Sequence, residues 1–577
     1  MKRLILPTIY NIPLFVICIF LFGGFDVLYH QYLFGENDAI GILMALGEIV
    51  LFSYLVCVCS YLLRKVHIKV LFYVILFVVY IVNFYIRNAF TTDISPKIIV
   101  LIFETNAKEA SGFFKTYFLT TPMYKTLVVF GVLLIMTIVG ELYRKKISQW
   151  LDKSIAHWIL TIIILFGIIG GSSAFIRYMQ LLRCKDAYQA ERWLMNIPFR
   201  KRMPTTNLAY SLQAIRLSGQ DMYVMINATK ESLKDVTCEE SDSLNIILVI
   251  GESYNKYHSG LYGYYLDTTP CQVKEANRGN LYAFNQVKAP HNGTSTVIKN
   301  VLCCNDIHEG ERWSDLPYFP AIFKKAGYDV WFWDNQYKWD PDAAWAFTLN
   351  SILFNEEIQA LSYTAINQTG SAYDAGLISN FEQEKGKDLG KRNLMIFHLC
   401  GQHFLAKDQY PHEEKYEIFS AKDVKDTASY INDNSRQRIA EYANATRYND
   451  EVIHQIMEME KDANTIMIYF PDHGEEVYDY RDFYGRELLG EVKESAGIIK
   501  YQIEIPFVVW CSDKWKMSHE EEWKRIGEAI DKPFSTDIIC HLMFRLAGIK
   551  TKQYKATRDL FSPEYQPSTK EYDMLSL

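Results

Sequence analysis

The stretch NIILVIGES, residues 245 to 253, runs through five consecutive apolar residues and then breaks into Gly251, Glu252 and Ser253. A short apolar run closed by glycine suits a strand buried on both faces, as in a parallel sheet covered by helices. Four further runs follow the same pattern: YDVWFW (328–333), NLMIFHL (393–399), TIMIYF (465–470) and IPFVVW (505–510), with helical stretches between them. The alternation predicts an α/β domain with a parallel sheet. Four of the five runs end in reactive groups: GES, DN, HLCGQH and PDHGEE. Ligand sites in such sheets lie beyond the carboxyl ends of the strands, so these four segments are expected to converge.

Working outward, the remainder of the chain is of a different kind. It has 577 residues, a net charge of −7, and 49 % hydrophobic against 22 % charged residues. That balance, without clustered Lys and Arg, excludes a chain-wide nucleic-acid footprint. Segments 5–26, 39–63, 70–86, 126–143 and 154–176 approach or reach the roughly 20 apolar residues of a spanning helix. The expected organisation is a transmembrane domain of five helices over 1–176, interfacial linker helices over 177–244, and a soluble catalytic domain over 245–577. Lys2 and Arg3, then Arg64, Lys65 and Lys69, then Arg144, Lys145, Lys146 and Lys153 fall on one side, whereas 27–38 has no Lys or Arg. This places the N-terminus in the cytoplasm and the catalytic domain outside. The first span has no small-x-small site after it and reads as uncleaved.

Asp26 and Glu48 lie at the outer ends of spans one and two, and the outer loop IFETNAKEASGFF adds Glu104, Asn106 and Glu109. Ionisable groups at membrane depth are functional candidates, so Glu48, Glu104 and Asn106 are candidates for holding a cationic lipid headgroup; marking span ends is the competing reading. Of eleven cysteines, Cys271 with Cys303 or Cys304 is a candidate disulfide in an oxidising compartment, with buried free thiols as the alternative.

The strand-end residues have a joint chemistry. Glu252, Asp472 and His473 supply the oxygen and imidazole ligands that Zn²⁺ accepts in a catalytic site with one open position. A hydroxyl is the expected fourth partner. The segment HNGTST (291–296) precedes VIKNVL, which starts as a helix, and Thr296 is the candidate nucleophile, activated by a metal and a helix N-terminus. Taken singly, DHG after a strand recurs by chance and GTST also serves as a helix cap. The order GES, GTST, DHGE beside successive strand ends is what gives them weight.

With these residues in place, the sequence resembles the membrane-bound phosphoethanolamine transferases of the alkaline phosphatase and sulfatase superfamily. The resemblance rests on IILVIGESYNKYHSGLYGYYLDTTP (246–270), GTST (293–296), FWDN (332–335), FHLCGQHFLAKDQYP (397–411), YANATRYNDEVI (442–453), YFPDHGEE (469–476) and the five preceding spans. It implies a sulfatase-like soluble domain and Zn²⁺ bound by Glu252, Thr296, Asp472 and His473, with Thr296 taking the phosphoethanolamine group. It also implies substrate contacts from His403, His398, Asn335 and Lys338. The sequence departs from the family where another histidine usually follows DHG by about a dozen residues; here the region reads VYDYRDFYGR, with Tyr484 near that place. Asn292 and Leu302 stand where the family has a cysteine pair beside the nucleophile.

The resemblance implies a phosphatidylethanolamine donor and lipid A or another lipopolysaccharide sugar as acceptor, in the bacterial inner membrane with the catalytic domain in the periplasm. Polymyxin resistance would follow from adding a cationic group to lipid A. Competing readings are phosphoglycerol transfer from phosphatidylglycerol, a membrane-anchored phosphatase or sulfatase-like hydrolase, and a non-catalytic membrane scaffold. The Cys/Ser-x-Pro-x-Arg segment that sulfatases convert to their nucleophile is absent.

Overall fold

A computed structural model describes residues 2–24, 39–63, 65–90, 93–96, 98–99, 120–150, 154–185, 190, 193–194, 197, 203–240, 242–336, 352, 355–385, 389–486 and 496–568. The chain divides into two compact units, 1–218 and 219–577.

The first unit is helical: α1 (Lys2–Tyr10), α2 (Ile12–Ile19), α3 (Ala39–Leu62), α4 (Val66–Phe90), α5 (Thr121–Trp150) and α6 (Ser154–Leu182). Four of these are long and apolar enough to cross a membrane, spanning Leu43–Leu62, Val66–Phe90, Thr121–Gln149 and Ile155–Leu182. The expected first span is instead two helical pieces bent by 88° around Asn11, so the count is four, or up to five if the bent pair is one span. Pro13 in the first turn of α2 explains the break, because its ring cannot continue a preceding helix. Helices α3 and α6 meet at Gly47 and Gly170; a methyl group on Gly47 would stand 2.7 Å from the Gly170 Cα, so only glycine permits this approach. Glu48 is buried on the same seam and ion-paired to Arg177. Its carboxylate is thus engaged by a protein cation. Asp26, Glu104, Asn106 and Glu109 lie outside the described residues.

The second unit holds a seven-stranded sheet built from β1 (Leu244–Gly251), β2 (Leu281–Ala283), β3 (Asp329–Asp334), β4 (Ala365–Ile366), β5 (Arg392–His398), β6 (Thr465–Pro471) and β7 (Val508–Cys511), in the order β2-β7-β6-β1-β5-β3-β4. β1 lies between β5 and β6, parallel to both. β7 is antiparallel to β6 and to β2, which corrects the expectation of a wholly parallel sheet. The run 505–510 is the one that carried no reactive residue at its end, and its reversed direction takes its carboxyl end away from the others.

Alternate residues of β1 enter two different cores. Leu244, Ile246, Leu248 and Ile250 face one, with α8 (Thr294–Leu302), and Ile247 and Val249 face the other, with α9 (Asp433–Glu460). Helix α8 buries Val297, Ile298, Val301 and Leu302, an apolar stripe that leaves its N-terminal turn free to face the strand ends. A long helix, α7 (Pro204–Ser232), ends in this unit; there Met222, Met225 and Ile226 join the core and Thr229 accepts the Tyr318 N–H. All eleven cysteines are free thiols, so neither Cys271–Cys303 nor Cys271–Cys304 is formed.

Candidate active site

The ladder between β1 and β6 continues past the strands. Asp472 N donates to the Gly251 carbonyl oxygen at 3.0 Å, which sets the residues after the two strands side by side. Directly after Glu252, Ser253 adopts φ of +54°, a left-handed conformation that few non-glycine residues take. The surroundings hold it there: Tyr442 Oη donates to the Ser253 carbonyl at 2.6 Å and Ser253 N donates to Asp472 Oδ1 at 3.2 Å. On the other flank Gly401, at φ +48°, presses against Glu252; a Cβ there would be 2.8 Å from its backbone N and O. The strand ends are therefore locked around one glutamate.

Glu252, Asp472 and His473 come together as expected, with one ligand atom from each lying within 4.8 Å of the others and all three residues fully buried. His473 Nε2 is 3.1 Å from Glu252 Oε1 and 3.1 Å from Asp472 Oδ2. His473 Nδ1 donates to the Gly474 carbonyl at 2.8 Å, which directs the Nε2 lone pair at the carboxylates. Asp472 Oδ2 is buried without a hydrogen-bond donor. Two buried carboxylates around an imidazole lone pair form an oxygen-rich, electron-rich cluster of the kind that Zn²⁺ accepts, so the residues fit the ion. Burial pushes the Glu252 carboxyl up, but His473, His403 and Arg486 more than offset this and hold it well below the usual range.

The hydroxyl at this cluster belongs to Thr294. Its Oγ1 donates to Glu252 Oε2 at 3.0 Å and lies 3.3 Å from His473 Nε2. Thr296, the expected nucleophile, stands two residues further along the same helix. Both residues sit in the first turn of α8.

The other expected residues divide. His403 follows β5 in the loop beside the cluster, where its charge acts on Glu252 and Glu475, and its Nδ1 lies 3.0 Å from the Phe404 carbonyl. His398 ends β5, fully buried, with Nδ1 3.1 Å from Asp334 Oδ1 and Nε2 without a partner. Burial opposes its charge, yet Asp334 raises its pKa above the ordinary value. Asn335 is at the end of β3, but its amide donates to Asp374 Oδ1 at 2.8 Å and accepts from Ser371 N at 2.6 Å. Asp374 in turn receives Cys400 N and Gly401 N, both at 2.9 Å, so Asn335 braces the loop that contacts Glu252. Lys338 lies outside the described residues.

Three residues complete the site beyond those the sequence singled out. Gln336 Nε2 donates to Glu252 Oε2 at 2.8 Å and to the Leu399 carbonyl at 2.9 Å. Arg486 donates to His473 Nε2, reaches the Asn292 carbonyl at 3.1 Å and pairs with the buried Glu475 at 3.2 Å. Gly485 and Arg486 directly follow Tyr484, so a guanidinium enters the site from the segment where the family's further histidine was sought. Glu475 was visible as the residue after DHG; Gln336 and Arg486 carried no motif signal.

A family model described as Sulfatase matches residues 244–549, more than half of the chain, and the chain belongs to that family. A second model, Phosphoethanolamine transferase EptA/EptB, matches residues 51–189. Phosphoethanolamine transferase EptC of Escherichia coli strain K12 is 25 % identical over 499 residues, 83 % of this chain and 79 % of its own. The C-terminal periplasmic domain of Escherichia coli EptC, solved in complex with Zn, aligns with a TM-score of 0.50 and 26 % identity over 58 % of this chain and 91 % of that one. The Kdo(2)-lipid A phosphoethanolamine 7''-transferase of Escherichia coli strain K12 is 25 % identical over 294 residues, 48 % of this chain and 45 % of its own. The integral membrane lipooligosaccharide phosphoethanolamine transferase A of Neisseria meningitidis shares the fold over 96 % of this chain and 97 % of its own, with a TM-score of 0.59 and 16 % identity. Within the sulfatase superfamily, then, this chain falls among the membrane phosphoethanolamine transferases.

Proposed function

We propose that this enzyme moves phosphoethanolamine from phosphatidylethanolamine to lipid A or another lipopolysaccharide glycan through a phosphothreonine at Thr294. The observation that carries the reading is the Thr294 hydroxyl, 3.0 Å from Glu252 Oε2 and 3.3 Å from His473 Nε2. Glu252, Asp472 and His473 would hold Zn²⁺, which when bound lowers the pKa of a neighbouring hydroxyl and offsets charge on phosphoryl oxygens. Thr294 Oγ forms the new bond to phosphorus as the bond from phosphorus to the glycerol oxygen breaks. Diacylglycerol leaves with a proton from His403, and the proton that Thr294 releases restores His403. In the second half-reaction an acceptor oxygen bonds to phosphorus, the Thr294 ester breaks, and the acceptor's proton returns to Thr294. The N-terminus of α8 and the Arg486 guanidinium favour the negative charge that collects on the phosphoryl group.

The Lys and Arg flanks of the apolar segments, and relatives whose soluble part is described as periplasmic, support an inner-membrane enzyme with a cytoplasmic N-terminus and a periplasmic catalytic unit. Intact mass spectrometry after incubation with phosphatidylethanolamine and Zn²⁺, with peptide mapping over 288–303, tests the reading. A phosphoethanolamine adduct on Thr294 is expected. An adduct on Thr296 would return the nucleophile to that position, and a phosphoglycerol adduct formed from phosphatidylglycerol would replace the donor. No adduct from either lipid would point to a hydrolase or a non-catalytic role.

A further inference from the structure

Three lysines converge beside the site from three separate segments. Lys256 follows Glu252 by four residues, Lys288 precedes Thr294 by six, and Lys500 sits on α10 (Ala496–Ile503). Lys500 Nζ stands 4.3 Å from the centre of the Tyr257 ring and 5.6 Å from that of Tyr501, and Lys256 Nζ stands 5.3 Å from Tyr257. The two tyrosine rings meet edge to face, 5.2 Å apart, and both are partly exposed. Lys288 is bridged to Glu504 across an antiparallel backbone pair, which puts their side chains on the same side.

Among the described residues, Glu504 is the carboxylate in contact with this group, while Asp479 and Glu476 act on its tyrosine rings from further off. It lies 3.7 Å from Lys256 Nζ and accepts the Tyr257 hydroxyl. Around the lysines themselves, three ammonium groups have one carboxylate in contact with them. Lys256 registers this: burial lowers its pKa, Glu504 opposes that, and Lys500 and Lys288 lower it further. Such crowding of like charges is unfavourable until an anion enters, and ammonium groups over half-exposed aromatic rings suit a ligand that is anionic at one point and a flat-faced ring at another.

The group is also tied to the catalytic elements. Gln502, two residues past Lys500, accepts the Asn292 amide at 2.8 Å through its side chain and the Gly474 N–H at 2.9 Å through its carbonyl. The segment that bears Lys500 is thus joined to those that bear His473 and Thr294.

We propose that Lys256, Lys288 and Lys500 with Tyr257 and Tyr501 form the docking site for a phosphorylated sugar of the acceptor, the lysines taking its phosphate and the tyrosines its ring. This inference rests on the transferase reading and names the acceptor chemistry within it. The other surface with suitable chemistry, an anionic lipid bilayer, is an outcome of the test.

The full chain in detergent is compared with its Lys288→Gln/Lys500→Gln variant, and with Lys288→Arg/Lys500→Arg as a charge-conserving control. The first readout is phosphoethanolamine loading from phosphatidylethanolamine, by intact mass. The second is discharge of the loaded enzyme by bisphosphorylated lipid A at limiting concentration. The third is the affinity for glucosamine 1-phosphate and for uncharged glucosamine, by ligand-observed NMR, and the fourth is binding to phosphatidylglycerol vesicles, by co-sedimentation. Loading within about twofold of the parent, discharge slowed about tenfold or more, phosphosugar affinity weakened to match, and near-parental behaviour of the Arg variant are expected. Discharge and phosphosugar affinity unchanged in the Gln variant overturn the proposal. So does a variant whose only loss is binding to phosphatidylglycerol vesicles, which would assign the lysines to the membrane surface. If the parent itself does not load, the transferase reading fails, while the phosphosugar titration still reports on the lysine site.

Discussion

The Thr294 hydroxyl donates to Oε2 of Glu252, and the Gln336 amide donates to the same oxygen. One carboxylate therefore positions the nucleophile candidate with one oxygen while its other oxygen, Oε1, faces His473 Nε2 at 3.1 Å. One side chain is thus both a candidate metal ligand and the partner of the candidate nucleophile.

Thr294→Ala is expected to lower transfer by at least about 10³-fold, because loss of a nucleophile removes the covalent route as a whole. Thr296→Ala should stay within about tenfold of the parent, as a substitution in the first turn of α8 that leaves the Thr294 hydroxyl in place. Steady-state transfer with adduct mapping checks both; the reverse ranking would restore Thr296.

Chelation should abolish transfer, and Zn²⁺ should restore it. Glu252→Gln and His473→Ala are each expected to lose the metal, whereas Gln336→Ala, which removes only a hydrogen bond to a ligand oxygen, should weaken metal affinity by roughly 10- to 100-fold. Metal content by elemental mass spectrometry at graded free Zn²⁺ separates the two classes. Gln336→Ala with unchanged affinity would reduce Gln336 to a packing role.

Arg486→Ala leaves Glu475 buried without its guanidinium. Burial already raises the Glu475 carboxyl, with Arg486 opposing it, so the variant should lose about 2 kcal/mol, less than for a fully buried pair because Arg486 is partly exposed. Adding Glu475→Gln should recover much of that loss. Thermal unfolding of the four proteins in the cycle measures the coupling; strictly additive effects would deny the pair.

Asp559 is a pH-dependent element of the soluble unit. Burial raises its pKa from 3.8 to about 6, with Tyr554, Phe561 N and Arg545 opposing. The folded state holds the proton more tightly than the unfolded state, so the contribution of Asp559 is fully present below pH ~4 and is lost as pH rises through ~6. Asp559→Asn should therefore gain on the parent by up to ~3 kcal/mol between pH 4 and 7. Unfolding profiles of both proteins across that range would show a constant difference if the group did not titrate there.

Much of this protein was legible from short apolar runs. Ile246–Ile250 announced a doubly buried strand because hydrophobicity on both faces leaves no room for solvent, and the strand-end rule then brought Glu252, Asp472 and His473 to one place. Apolar length likewise disclosed the membrane segments, since spanning is a matter of residue count. Two features of those elements were set elsewhere. The bend at Asn11 follows from Pro13, a helix breaker that a count of apolar residues passes over, and the reversal of β7 depends on which edge of the sheet receives it. The choice between Thr294 and Thr296 lay beyond the motif, because GTST contains two hydroxyls of equal chemistry and only the packing of Val297, Ile298, Val301 and Leu302 sets the rotation of α8. Arg486 and Gln336 reach the site from segments far from Glu252 in the chain, a proximity written in no local pattern. Residue type and period determined which strands, helices and ligands this protein has; their convergence, and which hydroxyl faces the metal cluster, were decided by tertiary packing, because helix rotation and loop approach depend on contacts between residues distant in sequence.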